Sequence, residues 1–195
     1  MHGLINKAVQ SFVVLTYGED RWQNVVSQVG LERPDYEAML TYDDEQSGEM
    51  LNAVCRELDR PFGEVMEDLG TFLVSHPNLE SLRRLLRFGG VTYVDFLHSL
   101  NDLPDRVLLA VSDLRLPSLD LREHTSGLFS LTCSPGLPGF GGVMVGILRA
   151  MADDYGALVM LDHRGRRDGC EVVSIALVES AYAKGRQFDL GARTG

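Results

Sequence analysis

Lysine is almost missing from this chain: Lys7 and Lys184 are the only two, and arginine supplies the rest of 18 basic residues set against 28 acidic ones. The formal net charge of −10 argues against a surface made for nucleic acid, because that affinity rests on lysine and arginine neutralising phosphates. Cysteine is scarce as well. Cys55, Cys133 and Cys170 are odd in number and far apart, which leaves no disulfide framework and no CxxC zinc or redox pair, and fits a reducing cytoplasm. No apolar run approaches the roughly 18 residues of a membrane span, and the N-terminus lacks the pattern of a signal peptide. There is no GxSxG nucleophile elbow, no P-loop Lys-Ser/Thr, no EF-hand spacing and no internal repeat.

What remains is ordinary globular composition, 45% hydrophobic and 24% charged, in 195 residues: enough for one domain or two small packed lobes. Apolar residues at Leu4, Ile5, Ala8, Val9, Phe12 and Val13 predict an amphipathic helix ending at Gly18, and Trp22, Val25, Val26 and Val29 a second ending at Gly30. The acidic run Asp43 to Glu45 opens a third, with Met50, Leu51, Val54, Cys55 and Leu58 inward. A fourth starts at Pro61 and stops before Pro77. Two more follow, Asn78 to Phe88 and Thr92 to about Leu103, split by Gly89-Gly90.

Past Pro117 the period changes to two. Leu119 and Leu121, the turn His124 to Gly127, and Leu128 to Cys133 read as a hairpin; a helix from about Val143 to Tyr155 follows the glycine-rich SPGLPGFGG. Ala157 to His163 and Cys170 to Val178 form a second hairpin turning through RGRRDG. Two hairpins and a covering helix predict an α+β fold: a helical N-terminal lobe (1–60), and a C-terminal lobe (61–180) with a four-stranded antiparallel sheet, within one domain over 1–180. The tail 181–195 is expected to fray or reach a partner.

Few residues carry chemistry. The glycine-rich stretch before a helix reads as a plain turn, with an anion at the helix start as the lesser alternative. His2, His76, His98, His124 and His163 show no metal-ligand spacing and read as surface or cap residues. His163 beside Asp162, with Ser174, has the residue types of a hydrolytic triad without its motif. One feature breaks a rule: Pro104 interrupts the helical pattern LNDLPDRVLLAV (100–111), where a mid-helix proline costs roughly 3 kcal/mol. It predicts a kink at Asp102 to Pro104, with Asp102 as cap and Pro104 in the first turn of a new helix.

The opening MHGLINKAVQSFVVLTYGEDRW with its Tyr17-Gly18-x-x-x-Trp22 joint, then LGTFLVSH, YVDFLHSLNDL, DLRLPS and GVMVGILRAMADDYG, resemble in order the segments of the heme-nitric oxide/oxygen binding (H-NOX) domains. Those domains sense diatomic gases in bacteria and in soluble guanylate cyclase. The resemblance implies that fold, no enzymatic activity, and a signalling partner in trans such as a histidine kinase or a cyclic-dinucleotide enzyme. It also implies a heme held by a proximal histidine in Leu-Asp-x-Leu-His and by a Tyr-x-Ser-x-Arg motif on its propionates. Here Pro104 takes the histidine's place in LNDLP, while Cys133, Pro135 and Leu137 take those of the motif. Pro117 corresponds to a proline of the family's Pro-Pro-Ser segment.

The chain is therefore expected to lack heme in its usual mounting. Ile5, Leu97, Leu100, Leu103, Val107, Pro117, Leu137, Phe140 and Met144 are the expected walls of the site. An empty apolar void of heme size, on the order of 300 Å³, would cost about 7 kcal/mol at ~24 cal/mol per Å³, so the site is either collapsed or filled by an apolar guest. The alternative is a gas sensor keeping heme through altered ligation. His98 is badly placed for that, about 120° around and about 9 Å along the helix from Pro104. His2, one turn before Ile5, is the remaining candidate, set against a frayed or solvent-facing terminus.

Overall fold

The computed structural model describes residues 1–31 and 34–186. They form two compact units, divided after Leu69. The first is helical. α1 (Gly3–Tyr17) starts at His2, whose Nδ1 accepts from the Leu4 amide at 3.1 Å. Gly3 sits where any Cβ would strike the carbonyl oxygens of Glu37 and Leu40 at 2.1 and 2.6 Å. α2 (Glu19–Val29) ends on Gly30 in the left-handed region (φ 69°) and buries Trp22, whose indole N–H donates to Pro34 O at 2.6 Å. Asp43 caps α3 (Asp44–Leu58) through the Glu45 amide at 2.7 Å, as the acidic run predicts. Near the other end of α3, Glu57 accepts from Arg21, Asn24 and Gln28 of α2, bonds that hold its carboxyl below the usual range, Asn24 and Arg21 foremost.

α4 (Phe62–Ser75) carries the chain into the second unit, whose helices are α5 (Glu80–Arg87), α6 (Tyr93–His98), α7 (Leu103–Ala110) and α8 (Phe140–Tyr155). A 3-10 turn at Pro77–Leu79 precedes α5, so the helix expected from Asn78 starts later and stops before Phe88. The helix expected over 92–103 is likewise divided: α6, opened by a Thr92/Asp95 capping box, gives way to a 3-10 turn over Ser99–Asp102 before α7.

Strands β1 (Leu119–Thr125), β2 (Leu128–Cys133), β3 (Leu158–Arg167) and β4 (Cys170–Glu179) make one antiparallel sheet in the order β1-β2-β4-β3. The β3–β4 connection corrects the expected RGRRDG turn. Only Asp168 (φ 52°) and Gly169 (φ 83°) turn, as a two-residue left-handed loop, while Arg164 to Arg167 stay in β3 around a bulge that follows His163. α8 packs on β3 and β4 and is buried along nearly its whole length, which its predominantly small and aliphatic side chains permit. It begins at Phe140, three residues before the expected Val143.

The far end of α8 is held by charge. Asp154, 2% exposed, accepts from Arg83 Nε at 2.8 Å and lies 3.5 Å from Arg87 Nε, and the Arg87 guanidinium stacks 3.9 Å over the Tyr155 ring. Residues past β4 return here: Ala183 and Arg186 amides donate to Gly156 O and Asp154 O. The start of the expected fraying tail is thus tied down; residues 187–195 lie outside the described residues.

Candidate functional site

Pro104 is the second residue of α7. A helix start leaves its first amides without intrahelical acceptors, so a residue lacking an N–H loses nothing there, and the proline that interrupts the helical pattern marks a helix restart. The break is a 3-10 turn over Ser99–Asp102, mostly before the kink expected at Asp102 to Pro104. Asp102 corrects the expectation in part: it stands at the cap position with helical backbone (φ −92°, ψ −2°), and its side chain makes no cap bond. The turn is fixed from elsewhere. Arg106 donates to Leu85 O, Ser99 O and Ser99 Oγ, and Asn101 Oδ1 accepts from the Leu121 amide of β1 at 2.8 Å. Leu97, Leu100, Leu103 and Val107 are buried along these elements, and Pro104 is half-buried.

The second group of candidates lies at the end of β2, in the loop after it and in the first part of α8. Cys133 closes β2, paired with Leu119 of β1 on one side and Glu171 of β4 on the other. It is 1% exposed, and burial, helped by the nearby Glu171 and Cys170, pushes its thiol up to about 12. Pro135 is exposed and Leu137 half-buried; Pro117, Phe140 and Met144 are buried. Pro117 abuts the loop, 3.6 Å from where a Cβ would stand on Gly136. Ile5 is half-buried on α1 in the first unit, while the other wall candidates all lie in the second.

Beside Cys133 stands a group absent from the candidates read from the sequence. Glu171, 9% exposed, accepts from the Gly139 amide through Oε1 and the Gly141 amide through Oε2, both at 2.9 Å, and its Oε2 lies 3.2 Å from His163 Nε2. These bonds occupy the first turn of α8. Gly139 takes a left-handed conformation (φ 76°) there, and a Cβ on Gly141 would meet Glu171 Oε2 and His163 Nε2, each at 2.7 Å. The glycine-rich stretch is neither a plain turn nor open to phosphate: the anion at the helix start is the chain's own carboxylate. Alternation in β4 gave the available signal. Glu171 falls in phase with the buried Val173 and Ile175, and a charge on an inward position asks for a partner.

Each histidine has a local role. His76 caps the 3-10 turn before α5, His98 lies 3.6 Å from Glu123, His124 bonds Ser130, and His163 faces Glu171. His2, a cap whose residue also bridges to Thr41, is not a frayed terminus. Ser174 pairs in register with Asp162 and its Oγ accepts from Arg164, whereas His163 pairs with Val173, so serine and histidine occupy opposite faces and form no triad.

The sequence profile of the Haem-NO-binding family matches residues 2–163. Two soluble guanylate cyclases of Caenorhabditis elegans, gcy-32 and gcy-34, are 27% and 26% identical over 156 residues, 78% of this chain. Those residues cover 23% of either cyclase, so the chain spans about a quarter of their length, and the cyclase name belongs to the whole proteins. The fold is similar to that of the unliganded Fe(II) H-NOX protein of K. algicida (TM-score 0.79, 15% identity, 94% of this chain and 100% of that one). It is similar also to the Fe(II)NO form from S. oneidensis (TM-score 0.74, 16% identity, 91% and 99%). No helix among the described residues is long and apolar enough to cross a membrane. With its profile match running through α1 to β3 and the helices and sheet in the same arrangement, the chain belongs to the Haem-NO-binding, or H-NOX, family of sensor domains.

Proposed function

We propose that this chain is a non-enzymatic sensory domain that does not hold heme through the family's usual groups and that acts through a protein partner or an apolar ligand. The observation that carries this reading is Pro104 at the start of α7. Its nitrogen is part of an amide, with no lone pair to give to iron, at the position where the family resemblance puts an imidazole.

The residues at the other end fit a heme no better. Cys133 is a buried thiol held neutral, and Pro135 and Leu137 present hydrocarbon where a hydroxyl and a guanidinium would meet propionates. Each missing charge-assisted bond is worth about 1.5–3 kcal/mol, and a carboxylate buried without such partners is disfavoured outright. The remaining neighbours, Leu97, Leu100, Leu103, Phe140 and Met144, suit hydrocarbon. A histidine kinase or a cyclic-dinucleotide enzyme is the class of partner to assay, with and without this chain.

The test is heme uptake by the wild-type chain and by a variant carrying Pro104→His, Cys133→Tyr, Pro135→Ser and Leu137→Arg. The reading expects the variant to bind heme at least ~10-fold more tightly, a difference of about 1.4 kcal/mol or more. Stoichiometric uptake by the wild type, unchanged in the variant, overturns it and favours altered ligation.

A further inference from the structure

We infer that the outer face of the sheet, turned away from α8, is the contact of a symmetric homodimer: a second copy of this chain stacks on it face to face, with β1 over the other copy's β3 and β2 over its β4. This surface goes beyond the reading above and does not depend on it.

Alternation defines the face. In β2 and β4 one set of residues, Phe129, Leu131, Val173 and Ile175, is buried on the side where α8 packs, so the residues between them point the other way. That second set departs from the rest of a chain that is 24% charged: no outward position of β2 from Leu128 to Thr132, or of β4 from Val172 to Val178, carries a charge. Leu128, Met160 and Val178 are 48%, 69% and 55% exposed. A central strip without charge, bearing exposed aliphatic side chains, has the make-up of an interface core.

The edges select the occupant. One register row runs Arg122, Ser130, Ser174, Asp162 across β1, β2, β4 and β3, positive at one edge and negative at the other. The next row starts at Asp120 and passes Thr132 and Val172 towards Arg164, with the signs reversed. A two-fold axis parallel to the strands lays β1 of each copy over β3 of the other, and so sets Arg122 against Asp162 and Asp120 against Arg164 in both halves of the contact. Within one copy the same four side chains pair as Asp120–Arg122 at 2.8 Å and Asp162–Arg164 at 2.9 Å, which keeps this face neutral in sum although the chain carries −10.

Shape follows the same axis. Leu128, Ala176 and Met160 share a row, so stacking β2 on β4 puts Leu128 of each copy over the notch left by Ala176 of the other. Strands spaced about 4.8 Å apart, with about seven residues of about 3.3 Å each, make the four-stranded face about 19 by 23 Å. That lies at the low end of specific interfaces, and a Kd on the order of 100 μM is expected.

Sedimentation of the full chain in low salt, from about 1 to about 500 μM, tests this. The wild type is expected to pass from monomer to dimer over that range, and Ala176→Lys, which puts a charge in the central strip, to weaken the dimer at least ~10-fold. Arg122→Asp and Asp162→Arg each set like charges against one another in both halves and are expected to weaken it by a similar factor, about 10-fold. Mixed in equal amounts, those two variants set opposite charges in both halves and are expected to recover a dimer about as tight as the wild type. Both positions are exposed, so these two variants keep the fold even if Ala176→Lys does not.

A wild type that stays monomeric to about 500 μM overturns the inference. So does a dimer that none of the three substitutions weakens, or a mixture no tighter than its separate components. None of these readouts involves a porphyrin, so the dimer and the heme reading stand or fall separately.

Discussion

α7 and α8 begin in the same unit and solve the same problem, the unpaired amides of a helix start, in opposite ways. At α7 the answer is local. A 3-10 turn leads in, Pro104 removes one donor, and the neighbouring Asp102 side chain contributes no bond. At α8 the answer is distant: a glutamate from the last strand satisfies two amides, with a histidine from the strand beside it 3.2 Å from the carboxylate. The first device needs only sequence neighbours and is cheap to alter. The second needs the whole sheet in register, so its loss should be felt widely.

Glu171→Ala is the severest test of that contrast. Losing two charge-assisted bonds and leaving one buried and one partly buried donor unpaired should cost about 3 kcal/mol, read by denaturant unfolding followed through the sheet signal. Gly141→Ala comes next, at about 1–3 kcal/mol, because its new methyl collides with both partners. Combined with Glu171→Ala it should cost less than the sum, since one of the colliding atoms, Glu171 Oε2, is then gone while His163 Nε2 remains; strict additivity would show that the two residues do not form one device.

At α7 the effects shrink. Pro104→Ala and Asp102→Ala should each change stability by less than about 1 kcal/mol, one restoring an amide that needs no partner and the other removing a side chain that caps nothing. A larger loss at Pro104 than at Glu171 would reverse the comparison. The smallest effect concerns Cys133. With its thiol pushed up to about 12 it is less ionised at any pH below that than an ordinary cysteine, so at pH 8 in the folded protein it should resist alkylation, becoming reactive only on unfolding. Rapid labelling of Cys133 in the native state would show that β2 ends in open solvent.

The same contrast explains what the sequence could disclose. The long amphipathic helices of the first unit, the two hairpins and the restart at Pro104 are written in residues a few positions apart, where period, proline and turn chemistry speak directly. Asp102 misled because cap composition indicates a side chain able to bond, while the bond itself depends on backbone that here is already helical. RGRRDG misled because its first glycine, Gly165, falls in a bulge, and the turn proper needs only Asp168 and Gly169. The start of α8 was illegible from its own residues: glycines read as loop, and the acceptor of their amides is Glu171, 30 positions beyond Gly141. Only its inward phase in β4, shared with Val173 and Ile175, marked it.

The proposed site follows that division. Family resemblance alone assigns Pro104, Cys133, Pro135 and Leu137 to it, while the carboxylate standing beside Cys133 emerges only from the strand pairing of Cys133 with Glu171.

The most direct measurement is the absorption spectrum of the chain expressed with abundant heme precursor and purified without added porphyrin. The account predicts no stoichiometric Soret band. A full-intensity band, with the iron held by a side chain of this protein, would contradict it.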